Sequence, residues 1–229
     1  MRHSFCSILQ RPSARAIAFA LLAAMGLGTT ARADSLVPDR RQIDAVSDVH
    51  GHNAAQRLRQ WRALIGTLPR HTRTEQLQRV NAFVNALAFV NDAVQWGKED
   101  FWATPAELLR RNGGDCEDLA IAKYFTLRAA GVPVEHMRIT YVKARTLNQG
   151  HMVLAYYPGA GTEPLVLDNI DPEIKPASQR TDLRAVYSFN GDGLWLTEEL
   201  HGPARRVGNA ERIGRWRQLL ARMETETLH

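Results

Sequence analysis

The chain has 229 residues, 45% of them apolar and 23% charged, with two cysteines and a formal charge of +5. That composition excludes a disordered charged tail, a collagen-like fibre, a multi-span membrane protein and a disulfide-dense miniprotein. The positive excess sits in the first 33 residues, which hold Arg2, Arg11, Arg15 and Arg32 and no acid. The remainder carries 25 bases against 24 acids, so it has no global electrostatic reason to bind a nucleic acid.

Arg2, Arg11 and Arg15 accompany an apolar run, Ala16 to Leu27, and Ala31-Arg32-Ala33 follows with small residues where a signal peptidase reads. This order predicts a secretory signal over residues 1–33, cleaved after Ala33. The run is about a dozen residues, short of the roughly 20 a spanning helix needs, so no membrane insertion of the mature chain is expected. Cys6 leaves with the leader. The mature chain, Asp34 to His229, then keeps Cys116 alone, in a compartment where thiols tend to be oxidised. Such a thiol is either buried and inert or kept for reactivity.

Residues 34–229 suffice for a single domain with a sizeable core. Asp34 to Asn53 is polar and aperiodic and is expected to be a loose start. Ala54 to Ile65 reads as a helix with Leu58, Trp61, Leu64 and Ile65 on one face, closed by Pro69. Thr74 to Val90 reads as a second helix, with Leu77, Val80, Phe83, Val84 and Leu87 at helical spacing. Asn91 to Trp102 is aromatic-rich and less periodic. Thr104-Pro105-Ala106-Glu107 opens a short helix with proline at its first position, stopped by Gly113-Gly114. The next helix runs from about Cys116 to Ala130. Its apolar residues cover most of its circumference, which predicts burial in the middle of the protein.

The period then switches to strands: His136 to Ala144, His151 to Tyr157, Glu163 to Asp168, Arg184 to Asn190 and Gly193 to Thr197. Asn209 to Met223 reads as a C-terminal helix. Helices first and strands afterwards argue an α+β fold with an antiparallel sheet.

Pro158-Gly159-Ala160-Gly161 is a turn signal between two strand patterns. Taken as a four-residue loop, it sets Tyr157 opposite Thr162, Val153 opposite Val166 and His151 opposite Asp168. A carboxylate beside an imidazole fixes its tautomer and stabilises the imidazolium, which is half of a nucleophilic triad. Cys116, at a helix start past two glycines, is the candidate for the other half, since a helix N-terminus favours the thiolate. Each residue also has a bland reading: a core cysteine, a surface histidine, ordinary turn residues at Asp168-Asn169.

Asp115, Glu117 and Asp118 crowd the proposed nucleophile, and their charge opposes thiolate formation. Either Asp115 caps the helix while Glu117 and Asp118 complement its dipole, or the acids hold a hard cation such as Ca²⁺. The residues alone leave these even. Neither an EF-hand spacing nor a zinc-type cysteine–histidine cluster is present.

The runs GGDCEDLAIAKYFTLRAAGVP, MRITYVKA, GHMVLAYY and LVLDN, with WGKEDFWATPAELL upstream and PASQRTDLRAVYSFNGDGLW downstream, resemble the bacterial transglutaminase-like cysteine proteinases. The resemblance covers about Trp96 to Trp195. It implies a papain-like fold in its transglutaminase form, with a central helix carrying the nucleophile. It matches Cys116 to the nucleophile, His151 to the general base and Asp168 to the orienting acid. Asp115 and Glu117 match calcium-site residues, which Asp118 joins. It further implies a periplasmic endopeptidase that cuts a large surface adhesin near its N-terminus and so disperses a biofilm. An inner-membrane receptor that senses cyclic di-GMP is the implied regulatory partner. The Cys116 backbone N–H is one oxyanion candidate, and Trp96 is a second by analogy with transglutaminases, beside its reading as a core or cleft aromatic. The alternatives are a transglutaminase or amidase of the same fold, and a non-catalytic periplasmic binding protein.

Overall fold

A computed structural model of the chain describes residues 36–159, 161–202 and 204–226. The expected leader, residues 1–33, and its cleavage point lie outside the described residues. Among the described residues, no helix is long and apolar enough to cross a membrane.

The segment expected to be a loose start holds a helix instead, α1 (Arg40–His50). Asp39 accepts from the Gln42 N–H at 2.9 Å, and Gln42 accepts from the Asp39 N–H at 2.8 Å, a reciprocal cap. Ile43 is its one fully buried side chain, with Val46 packed beside it, a stripe too thin to read as helical spacing. Next, α2 (His52–Thr67) buries Ala54, Ala55, Leu58 and Trp61, and α3 (Arg73–Asn85) buries Leu77, Val80 and Val84.

The helix expected to reach Val90 stops at Asn85. The chain then forms β1 (Ala88–Phe89), a short helix α4 (Asp92–Gln95), α5 (Pro105–Arg111) and β2 (Gly113–Gly114). β1 and β2 pair in parallel, Ala88 with Gly113 and Phe89 with Gly114. A Cβ at Gly113 would meet the Ala88 carbonyl oxygen at 2.7 Å, so this close pairing requires glycine. The long-range pairing overrides the helical periodicity after Asn85.

The central helix is α6 (Cys116–Ala129), as expected. Every side chain from Asp118 to Leu127 is buried, a continuous run that includes Lys123. It is enclosed by α3, α5 and a seven-stranded antiparallel sheet. The strands are β3 (Met137–Ala144), β4 (Gln149–Tyr156), β5 (Leu165–Leu167), β6 (Lys175–Pro176), β7 (Leu183–Phe189), β8 (Leu194–Leu196) and β9 (Arg205–Gly208). Their order across the sheet is β6-β5-β4-β3-β7-β8-β9. The expected α+β class, with helices packed on an antiparallel sheet, is therefore the observed one.

Alternation along the strands builds two cores. Met137, Ile139, Met152, Leu154, Leu167 and Phe189 join α6 in the main core. Val142, Val153, Val166 and Ala185 form a second cluster on the other face, covered by Ala177 and Leu200. The last helix, α7 (Gly214–Glu226), inserts Trp216, Leu219 and Met223 into the main core, with the Trp216 ring 5.5 Å from Phe125. Burying one such aromatic contributes about 1.5–3 kcal/mol. The polar composition of β9 gave no strand signal.

The expected register between β4 and β5 is corrected by two residues. Tyr156 lies opposite Leu165 and Leu154 opposite Leu167, because the connection spans residues 157–164 rather than four. Asp168 is thus level with Val153. Side chains alternate with period two, so a two-residue shift keeps His151 and Asp168 on one face.

Candidate active site

His151 and Asp168 are diagonal neighbours on that face. His151 Nε2 lies 2.7 Å from Asp168 Oδ1, and the two residues are 2% and 1% exposed. Oδ1 also accepts the N–H groups of Asn169 at 2.6 Å and Ile170 at 3.0 Å. Oδ2 accepts from Arg180 Nη2 at 2.7 Å, and the Asp168 carbonyl oxygen accepts from Asn85 Nδ2 at 2.8 Å. Burial alone would push the Asp168 carboxyl up. The hydrogen bond and charge of His151, then the hydrogen bond of Arg180, outweigh it and hold the group well below the ordinary range. An ionised Asp168 only accepts, so Nε2 donates to it and Nδ1 is the free acceptor of the neutral ring.

Cys116 is the first residue of α6 and is partly exposed. Burial and the neighbouring acids outweigh the backbone N–H of Met152, the residue after His151, which favours the Cys116 thiolate. The thiol donates to Glu117 Oε2 at 3.1 Å. Burial, then the charge of Glu117, then that of Asp115, push the thiol up. The bare acids therefore oppose the thiolate, as the sequence suggests.

Asp115 occupies the N-cap position of α6 but makes no side-chain cap bond. That removes the capping explanation for it. Its Oδ1, Asp118 Oδ2 and Asp92 Oδ1 are buried with no hydrogen-bond partner. Asp92, Asp115 and Asp118 each bring an oxygen within 4.8 Å of the others, and so do Asp92, Asp100 and Glu117. The other oxygens of the buried pair are fixed by backbone: Asp118 Oδ1 by the Ala103 N–H at 2.6 Å, Asp92 Oδ2 by the Phe101 N–H. Burial, followed by the charges of Glu117 and Asp118, pushes Asp115 up to about 9. Unpartnered, mutually repelling carboxylate oxygens are the donor set of a hard divalent cation, and Ca²⁺ suits their number and irregular arrangement.

Asp92 and Asp100 belong to this cluster and escape sequence reading. The parallel β1–β2 pairing carries Asp92 alongside the Asp115–Asp118 turn, and no local spacing announces it. Arg215 of α7 pairs with Asp100. Trp96 packs on Phe101 with ring centroids 4.7 Å apart, and its Nε1 is buried without a partner. Lys123, 1% exposed, faces the charge of Asp168, and its own burial pulls its ammonium down to about 7. An apolar hollow of about 420 Å³, lined by Val46, Leu58, Ala106 and Met223 among others, includes none of Cys116, His151 and Asp168.

Residues 59–190 match the bacterial transglutaminase-like cysteine proteinase (BTLCP) family. Structures of Legionella pneumophila LapG, in one case EGTA-treated and in another calcium-bound, are 40% identical to the chain. They align with TM-scores of 0.68, 0.69 and 0.67, covering 79% of this chain and 97–98% of LapG. A comparison with curated proteins gives no match.

Proposed function

The chain belongs to the bacterial transglutaminase-like cysteine proteinases, and on that premise we propose a calcium-dependent, exported endopeptidase acting through Cys116, His151 and Asp168. The observation that carries this reading is the buried 2.7 Å contact of His151 Nε2 with Asp168.

The Cys116 proton passes to His151 Nδ1, and the thiolate attacks the scissile carbonyl carbon. The oxyanion that forms is met by the Cys116 backbone N–H at the helix N-terminus. The His151 imidazolium protonates the leaving amine as the C–N bond breaks and a thioester remains. Water, deprotonated by His151, attacks the thioester, and collapse of that intermediate returns the thiol and a carboxylate product. Asp168 stays ionised throughout and stabilises the imidazolium. Asp92, Asp115, Glu117 and Asp118, with Asp100 at the rim, would hold the calcium ion, whose positive charge offsets the acids around the thiol. The calcium-bound and EGTA-treated LapG structures support calcium as the ion of this family.

The substrate we propose is a large cell-surface adhesin, cut near its N-terminus in the periplasm after removal of residues 1–33. Its release disperses the biofilm. An inner-membrane receptor of cyclic di-GMP sequesters the protease when the nucleotide is abundant. These points rest on the family resemblance.

The test is to incubate residues 34–229 with an N-terminal fragment of a large surface adhesin from the same organism. One discrete cut in calcium, none in excess chelator and none by Cys116→Ala are expected. Incorporation of a labelled amine without hydrolysis would make the chain a transglutaminase instead. A wild type that neither cuts nor transfers would favour the binding-protein alternative.

A further inference from the structure

Asp168 uses both carboxylate oxygens: Oδ1 takes His151 Nε2 and Oδ2 takes Arg180 Nη2, each at 2.7 Å. Arg180 follows the 3-10 turn Ala177–Gln179, whose Ala177 packs on the sheet face away from α6, and its side chain is 2% exposed. Its Nε and Nη2 also reach the Asp182 carboxylate, at 3.0 and 2.9 Å. Asp182 is half-buried, directly precedes β7, and takes the Arg145 N–H on its carbonyl oxygen at 2.8 Å. A continuous chain of contacts thus runs from the imidazole through Asp168 and Arg180 to Asp182 at the surface.

A carboxylate held by one oxygen pivots about its terminal torsion, which is broad, and an imidazole bonded to it pivots too. Held by both oxygens, its plane is fixed. A guanidinium suits this task because its donors form a planar fork that stays charged when buried. Here Nη2 donates to both carboxylates and Nε to Asp182 as well, so the half-buried Asp182 fixes the angle of the guanidinium and the guanidinium that of the buried Asp168.

We infer that Arg180 is a positioning residue of the active site: it locks the plane of Asp168, and through it the His151 ring, so that Nδ1 faces the Cys116 thiol. The inference rests on the reading of Cys116, His151 and Asp168 as the peptidase machinery. A merely structural role, tying β5 to the segment before β7, would change stability and leave turnover per folded molecule intact.

The test uses Arg180→Lys, which keeps the charge and loses the fork, and Asp182→Asn, which loosens the guanidinium from its half-buried end. Turnover is measured on folded protein with calcium. The His151 ring is followed by ¹⁵N-resolved NMR in the Cys116→Ala background, a readout independent of cleavage. Arg180→Lys is expected to lower kcat about 10–100-fold with KM changed less than twofold, as for outer groups that orient a functional histidine. The slowly exchanging His151 Nε2 proton is expected to broaden or vanish. Asp182→Asn is expected to shift both readouts the same way, by less, and decides the matter if Arg180→Lys does not fold. Wild-type kcat with an unchanged His151 spectrum would overturn the inference. A wild type inactive on every substrate, with the His151 signal still lost in the variants, would overturn the peptidase reading and leave the positioning role standing.

Discussion

Gly114 and Asp118 touch across the first turn of the central helix. A Cβ on Gly114 would fall on Asp118 Oδ2 and come within 2.8 Å of Leu108 Cδ1. The absence of a side chain at Gly114 is therefore part of the acid cluster's geometry. Gly114→Ala should destabilise the fold by about 1–3 kcal/mol, as overpacking does. It should also weaken calcium binding by displacing Asp118. Thermal unfolding and a calcium titration check both, and wild-type calcium affinity in this variant would show that Asp118 is no ligand.

Removing the proposed nucleophile and removing the proposed support of its base should differ. Cys116→Ala should abolish cleavage and leave unfolding unchanged, since the thiol is small and partly exposed. Asp168→Asn should cost about 10⁴-fold in kcat through the wrong histidine tautomer. It should also destabilise, by less than the ~3–5 kcal/mol of a fully orphaned buried charge, because Arg180 loses Asp168 and keeps Asp182. Loss of the fold in Cys116→Ala would mark that cysteine as structural.

The depressed Asp168 carboxyl has a pH signature. An acid whose folded pKa lies below its unfolded value of about 3.9 contributes stability above that value. The contribution is lost as pH falls below it, where the unfolded chain takes up the proton first. Urea midpoints should therefore be flat in this respect above pH 5 and fall below about pH 4. The fall should be shallower in Asp168→Asn by up to about 1.4 kcal/mol per pH unit, one proton's worth. Parallel curves for the two proteins would refute the assignment.

Calcium should stabilise the folded chain by mass action, about 2.7 kcal/mol at a hundredfold excess over Kd. Asp92→Asn removes a charge from a site whose Oδ1 has no protein partner. It should raise the calcium Kd at least about tenfold, a loss of ~1.4 kcal/mol. Calorimetric titration of wild type and variant settles this, and equal affinities would remove Asp92 from the ligand set.

Much of the site was legible because its signals are local. Asp115, Cys116, Glu117 and Asp118 are consecutive, and the glycines before them announce a helix start. The burial of α6 follows from apolar residues around most of its circumference. The turn signal predicts a register two residues from the observed one, and an even shift preserves which side chains share a face, so His151 and Asp168 still pair. What could not be read depends on distant chain. Asp92 and Asp100 join the acids through the β1–β2 pairing, and Arg180 reaches Asp168 from a segment with no strand or helix pattern. The α1 helix was hidden because one cap and one buried isoleucine sustain it. β1 was hidden inside a run that continues the helical spacing of α3.

The measurement closest to the central claim is the alkylation rate of Cys116 at neutral pH, in calcium and in excess chelator. Mass spectrometry of the peptide bearing Cys116 reads it, so Cys6 does not interfere. If the acids hold a cation that offsets their charge on the thiol, alkylation is fast in calcium and falls at least about tenfold on chelation, returning when calcium is restored. Equal rates in the two conditions would contradict the account, since the acid cluster would then have no electrostatic hold on the nucleophile.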